Sequence, residues 1–514
     1  MNGIGFRNFR RFKELNSLPL GGINLFVGGN NAGKSTVVKG LLLLLDFLKN
    51  QKISSSNLFE TPKFRFDGPG AHDVNIDTFN RALCWNSKEK EIVFFACIED
   101  FEVEVCIYND SPKEDVGYAF VKSIKLEDKK TGLGFMFDVN NAKTLVSYSS
   151  DEQKETLQKQ IEELEKDLDE LNKEISKTSS SKSSEEGEKK LFDRMAQKSH
   201  LETKLKEYRK SLRLTKKTIQ LRIQQSPSIN VSYIFSYLQG IIEFVDVATA
   251  STNNNYTETN ELSPKELSWL KQHIFEIQDI NTRFDHAVQK ISVEYLYSHN
   301  ANQRVIYNKK DENDYVSKSI YEIYNQRITS KSEIGKKVLS WLKDFCAVDD
   351  YKVTTIQGEA YQFVLKSNGK WIDLADMGRG VIQLVILFVR LASIIKKYQG
   401  KTDAPIVLIE EPEQNLHPAL QSKLTDLLYQ IYDEFGIRFI VETHSEYVVR
   451  KSQVVVYENI KIERFTLDNN PFKVYFFDEK EGPYQMVYRE NGRFSNEFNS
   501  SFYNEASNLA FELF

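Results

Sequence analysis

The stretch from Ile23 to Thr36 constrains this chain more than any other. It reads Ile23-Asn24-Leu25-Phe26-Val27, then Gly28-Gly29-Asn30-Asn31-Ala32-Gly33-Lys34-Ser35-Thr36. Gly28, four residues and Gly33-Lys34-Ser35 match the spacing G-x-x-x-x-G-K-[ST] of a phosphate-binding loop. The mostly apolar run before it suits a buried strand. A helix starting near Ser35 would aim its positive end at the same phosphates. Glycines let backbone N–H groups curl round a phosphate with no Cβ in the way. On this reading Gly28, Asn30, Asn31, Gly33, Lys34, Ser35 and Thr36 bind the phosphates of a nucleotide. Lys34 reaches the β- and γ-phosphates, and the Ser35 hydroxyl helps to hold Mg²⁺. The bland alternative is a chance glycine turn, and the strand before and helix after the loop are the context that argues against it.

A chain of 514 residues has room for about two or three domains. Its net charge of −5 carries no global basic signature for nucleic acid and leaves local patches open. Cys84, Cys97, Cys106 and Cys346 are scattered without a C-x-x-C pair, which disfavours zinc and disulfides and fits a reducing cytoplasm. No signal peptide is visible at Met1-Asn2-Gly3-Ile4. The apolar run Leu41 to Leu45 is far too short to span a bilayer and reads instead as a helix buried behind the loop. A cytoplasmic chain with no membrane partner is therefore expected.

Residues 4–13 read as a first strand and turn, and 91–99 with 101–108 as an antiparallel hairpin with one wet face. Composition changes near residue 151. Leu157, Ile161, Leu164, Leu168, Leu171 and Ile175 follow at intervals of 4, 3, 4, 3 and 4, a heptad seam. A polar stretch over 177–189 and a second seam through Leu201, Leu205, Tyr208 and Leu212 predict an antiparallel coiled-coil hairpin, each arm about 40 Å long. Two ordinary amphipathic helices packed on the body are the alternative. Residues 221–365 look mainly helical. Beyond Trp371 the pattern is α/β again, with strands expected at Ile406–Ile409 and Arg438–Val441. The expected organisation is 1–150, the N-terminal half of a nucleotide-binding head; 151–220, the coiled-coil hairpin; 221–365, a mainly helical insertion; and 366–514, the C-terminal half.

The strand Ile406 to Ile409 ends in Glu410-Glu411-Pro412-Glu413. An acid at such a strand end helps to hold Mg²⁺, and its neighbour can orient or deprotonate the attacking water. Glu410 is assigned to Mg²⁺ and Glu411 to the water; an exposed acidic helix start, with Pro412 in the first turn, is the alternative. His444 follows the strand Phe439 to Glu442, where a histidine can hydrogen-bond a γ-phosphate and sense its loss. Lys34, Glu411 and His444 form the candidate catalytic set, and Ser35 and Glu410 the candidate metal ligands. Met377-Gly378-Arg379-Gly380 opens a long apolar helical run, and its glycines can form a second anion-binding nest for a nucleotide held by another subunit. A helix start that needs tight packing would use the same residues.

Asn8-Phe9-Arg10, the phosphate loop, Met377 to Gly380, Glu410 to Glu413, Leu416-His417-Pro418 and Thr443-His444-Ser445 occur in that order. The set resembles ABC-type ATPase heads of the SMC and RecF-like kind. It is more closely similar to the bacterial overcoming-lysogenization-defect ATPases and their stand-alone relatives, often labelled AAA-family. The likeness covers roughly residues 1–120 and 366–470. It implies an α/β, ABC-type P-loop ATPase head with a coiled-coil insertion. It also implies ATP sandwiched between two heads, with Lys34 and Ser35 from one and Gly378 to Gly380 from the other. The serine typical of an ABC signature loop is not evident around Met377, and Glu410 stands where many such ATPases have Asp. Few residues remain after His444 for the Toprim nuclease of the overcoming-lysogenization-defect enzymes, so no nuclease chemistry is expected in this chain. Proteins of this kind often serve as sensor subunits of antiphage systems such as Septu and PARIS. The resemblance therefore implies a head-to-head dimer or higher homo-oligomer and a separate effector nuclease or toxin. DNA or a phage protein is the candidate trigger, and a RecF-type DNA-repair ATPase is the alternative.

Overall fold

The computed structural model describes residues 1–50, 63–68, 74–109, 116–138, 143–149, 216–222, 264–297, 304–308 and 314–498, with short helical pieces between 159 and 205. The chain opens with β1 (Gly3–Phe9) and β2 (Phe12–Pro19), an antiparallel hairpin whose turn is Arg10-Arg11. It then enters β3 (Ile23–Gly28), every residue of which is buried. A strand buried on both faces has no room for alternation, which is why Ile23 to Val27 reads as a near-continuous apolar run. The loop follows, and then α1 (Lys34–Asn50).

Helix α1 is buried almost all round, as its leucine run requires: Val37, Val38, Leu41 to Leu45 and Phe47 all lie in the core. Gly40 lets it approach β1, because a Cβ there would stand 2.5 Å from the Phe6 ring.

β1 and β2 belong to an antiparallel sheet completed by β4 (Lys63–Arg65), β5 (Glu91–Ile98), β6 (Phe101–Tyr108), β7 (Tyr118–Asp128), β8 (Gly134–Asp138), β9 (Lys143–Ser149) and β10 (Lys216–Arg222). Its order is β10-β9-β8-β7-β6-β5-β1-β2, with β4 on β7. The expected hairpin at 91–108 is β5 and β6, paired from Glu91↔Tyr108 to Ile98↔Phe101. The chain leaves this sheet after Ser149 and returns at Lys216, because β9 and β10 pair antiparallel. Of the two heptad seams, Ile161, Leu164, Leu168 and Leu171, and then Leu201 and Leu205, lie in described helical pieces, with Leu171 and Leu205 buried. Leu157, Ile175, Tyr208, Leu212 and the polar stretch 177–189 lie outside the described residues.

The second sheet is mainly parallel, in the order β11-β16-β17-β3-β18-β19. It contains β11 (Val293–Leu296), β16 (Ile406–Glu410), β17 (Arg438–Thr443), β18 (Phe472–Asp478) and the antiparallel edge strand β19 (Gly482–Met486). Both strands expected near 406 and 438 are present, on one side of β3. α1 and α2 (Pro264–Lys290) pack with the antiparallel sheet on one face of the parallel sheet. The other face is covered by α3 (Tyr315–Asn325), α4 (Glu333–Cys346), α5 (Arg379–Tyr398), α6 (Pro418–Phe435) and α7 (Glu446–Lys461).

Residues 221–365 are less purely helical than their composition suggests. Besides α2, α3 and α4 they supply β11, which pairs in parallel with β16. They also supply β12 (Tyr307–Asn308), β13 (Asp350–Ile356) and β14 (Ala360–Ser367), which with β15 (Lys370–Asp373) make a small third sheet. β11 is only four residues long, Val-Glu-Tyr-Leu, and it is the pairing with β16 that makes it a strand.

Candidate functional site

Parallel strands that end at one edge bring their following loops together there. In this sheet that edge collects the loop after β3, the acids after β16 and the end of β17. Gly28 and Gly33 have φ of +147° and +106°, which a residue with a Cβ rarely adopts. Space is closed as well: a Cβ on Gly28 would lie 2.5 Å from Phe477 O, and one on Gly33 2.5 Å from the Phe12 ring. Asn31 sits in the left-handed region at φ +61°, where asparagine is among the best-tolerated non-glycine residues. Asn30 and Asn31 are exposed. The N–H of Thr36 donates to Gly33 O at 3.1 Å and starts α1.

Lys34 is buried, and its Nζ donates to Gly28 O and Gly29 O, both at 2.9 Å. Burial lowers its pKa, opposed by Glu442, Glu411 and Glu413. Arg11, from the β1–β2 turn, donates to Asn31 O in the loop and to Glu479 O at 3.0 Å in the β18–β19 turn.

The acids after β16 do not begin a helix. Glu411 stands at φ +42°, residues 412–415 turn, and α6 starts only at Pro418, with His417 as its N-cap. Glu411 N–H donates to Glu442 O at 2.8 Å, which ties the ends of β16 and β17. One oxygen of the Glu411 carboxylate lies 3.4 Å from His444 Nε2, and the other accepts from Gln414 Nε2. The hydrogen bond with His444, helped by Gln414 and the charge of Lys34, holds Glu411 down to about 2 against its partial burial. Glu413 is buried and accepts from the His444 backbone N–H at 2.6 Å, which fixes the start of the His444 turn. Glu410 accepts from the Tyr295 hydroxyl, so β11 also reaches the site.

The Ser35 hydroxyl pairs with an acid to which the motifs assign no role. Its Oγ donates to Glu442 Oε2 at 2.6 Å, and Glu442 is the next-to-last residue of β17. Burial, joined by the charges of Glu410 and Glu411, pushes Glu442 up to about 8 against the pull of Ser35 and Lys34. An acid directly after the apolar run Phe439 to Val441 is the sequence signal that marks it.

Gly378 and Gly380 lie at the start of α5, against a different neighbour. A Cβ on Gly380 would meet Asn415 O at 2.6 Å, so packing against the turn after the acids accounts for that glycine. Gly378 faces open space, with no atom within 4 Å of where its Cβ would be.

Fold and site together define a nucleotide-binding head of the phosphate-loop class. A family model described as "AAA ATPase domain" matches residues 1–449, and the chain belongs to that family of ATPases. Among solved structures it is similar to the Smc head domain with an extended coiled coil, bound to the C-terminal domain of ScpA, from Pyrococcus furiosus. That match has 11% identity, covers 100% of this chain and 98% of that one, and has a TM-score of 0.30. It is also similar to the SMC head domain from Thermotoga maritima, with 10% identity, 92% and 94% coverage and a TM-score of 0.30. These likenesses are distant, and the fold is read from the chain's own strand order. No curated protein sequence matches the chain. Among the described residues no helix is long and apolar enough to cross a membrane.

Proposed function

We propose that this chain is an ATP-hydrolysing switch whose heads dimerise on ATP. The observation that carries the reading is the convergence of Lys34, Ser35, Glu410, Glu411 and His444 at one edge of the parallel sheet. The loop N–H groups and Lys34 bind the phosphates, with Asn30, Asn31 and Thr36 in the loop that wraps them. The Ser35 hydroxyl and the Glu410 carboxylate are hard oxygen donors, which fits Mg²⁺. Among the described residues no three or more of His, Cys, Asp and Glu form a metal cage, and a cation that completes its shell with phosphate and water needs none. When bound, Mg²⁺ neutralises charge on the phosphate oxygens.

Glu411 is ionised at neutral pH, and with a pKa near 2 it is a weak base. Its contribution is to accept a hydrogen bond from the attacking water, which aims the water and gives its proton somewhere to go. His444 and Gln414 hold the carboxylate in place for that task. Gly378, exposed at the start of α5, serves the nucleotide of a second copy together with Gly380. The order of the motifs extends the reading to the sensor of a bacterial antiphage system with a separate effector nuclease or toxin, triggered by DNA or a phage protein. That extension is supported by the sequence resemblance alone.

Glu411→Gln tests the mechanism. ATP hydrolysis should fall about 10²- to 10⁴-fold. ATP binding should remain, and the ATP-held dimer should persist in light scattering. Hydrolysis near the wild-type rate would remove Glu411 from the mechanism.

A further inference from the structure

Glu442 is a carboxylate whose surroundings do not complete it. It is 4% exposed. Oε2 accepts from Ser35, while Oε1 is buried with no hydrogen-bond partner. Strand register sets a second acid directly beside it: Glu410 on β16 lies opposite Glu442 on β17. Like charges opposite one another on paired strands repel, and burial strengthens the repulsion. Two lysines, Lys34 and Lys39, feel the charge of this region, and Lys34 directs its Nζ hydrogen bonds to Gly28 O and Gly29 O. A hydroxyl that donates to a carboxylate still has lone pairs to offer, so the Ser35–Glu442 bond aims the Ser35 oxygen without using it up.

We propose that Glu442 is a further carboxylate ligand of the divalent cation that accompanies the nucleotide, acting with Ser35 and Glu410. The proposal rests on the ATPase reading and adds a residue to it. Glu442 does two things at once: Oε2 orients the Ser35 hydroxyl, and Oε1 supplies the negative oxygen that the repelling pair of acids needs a cation to share. A purely structural Glu442 would instead show both oxygens satisfied by the protein, as buried polar groups usually are.

The experiment uses the full chain and Mn²⁺ as the probe. A non-hydrolysable ATP analogue is bound first with metal chelated, and Mn²⁺ binding to the analogue complex is then followed by electron paramagnetic resonance. In Glu442→Gln the Mn²⁺ affinity should fall at least about tenfold, as loss of a metal-site group typically gives. Metal-free nucleotide affinity should hold, because Gln keeps the size of the side chain and leaves Lys34 and the loop N–H groups untouched. Glu442→Asp keeps the charge on a shorter arm and should give an intermediate loss, which keeps the test informative if the Gln variant folds poorly. Mn²⁺ affinity unchanged in both variants, or a parallel loss of metal-free nucleotide binding, would overturn the proposal. If the wild type binds nucleotide and Mn²⁺ but the variants do not differ from it, this inference fails alone. If the wild type binds neither, the ATPase reading falls with it.

Discussion

Two buried acids stand in the two large sheets of this molecule, and they are treated in opposite ways. Asp128, at the end of β7, is fully buried. Its Oδ2 lies 2.6 Å from Arg283 Nη2 on α2 and accepts from Thr131 Oγ1 at 2.8 Å, while its Oδ1 accepts from the Lys130 N–H at 3.1 Å. Burial alone would raise its pKa, but the bonds from Arg283, Thr131 and Lys130 outweigh it and hold the group below the usual carboxylate range. Glu442 is almost as buried, yet one oxygen has no partner and its pKa is driven up. The antiparallel sheet completes its charge to brace β7 against α2. The parallel sheet leaves one incomplete where a ligand is expected. The Asp128 carboxylate is completed by the scaffold, whereas the Glu442 carboxylate keeps an oxygen that a bound ligand could complete.

The contrast breaks most clearly in stability. Asp128→Ala should destabilise the fold by about 3 kcal/mol, the low end for a broken buried pair, because Arg283 is partly exposed and keeps Asp279 at 2.6 Å. Glu442→Gln in the nucleotide-free protein should be close to neutral, because burial keeps the carboxyl mostly uncharged at pH 7 and Gln matches its size. Urea denaturation of both variants checks this, and equal destabilisation would erase the distinction.

A smaller effect is expected at the start of α5, where one glycine is closed by packing and the other is open. Gly380→Ala must displace Asn415 O and should cost about 1–3 kcal/mol. Gly378→Ala, at φ −61° with free space around it, should stay within about 0.5 kcal/mol. Thermal melts separate the two. Any loss of ATP-dependent dimerisation in Gly378→Ala then reports on contact with a second copy rather than on folding.

The smallest effect is in pH. Asp128 has a folded pKa below its unfolded value, so its stabilisation is present above the unfolded pKa, about 3.9, and is lost as pH falls through the folded one. The stability gap between wild type and Asp128→Asn should thus be full at pH 7 and narrow below about pH 4. A gap that widens with acid would reverse the assignment.

Much of the nucleotide edge was legible because its parts are local. Loop spacing, a buried strand before it and a leucine-rich helix after it are all contained in Ile23 to Asn50, and β16 and β17 announce themselves as apolar runs ending in Glu410 and His444. Glu442 was legible only as an acid in the wrong place, since its pairing with Ser35 joins residues 407 positions apart. β11 was not legible at all: a four-residue run becomes a strand only when β16 is beside it. Gly380 illustrates an ambiguity that sequence leaves standing, because a glycine needed for an anion nest and one needed for close packing look identical until Asn415 is placed.

Arg11 carries a consequence for how the loop is held. It reaches from the β1–β2 turn to Asn31 in the loop and to Glu479 in the β18–β19 turn, so one side chain joins three segments remote in sequence. The Phe12 ring wedges beneath Gly33 from the same turn. The loop is thereby braced along two routes, one from the corner of the antiparallel sheet and one from the β18–β19 rim of the parallel sheet. One turn of the chain fastens the phosphate loop to both large sheets at once.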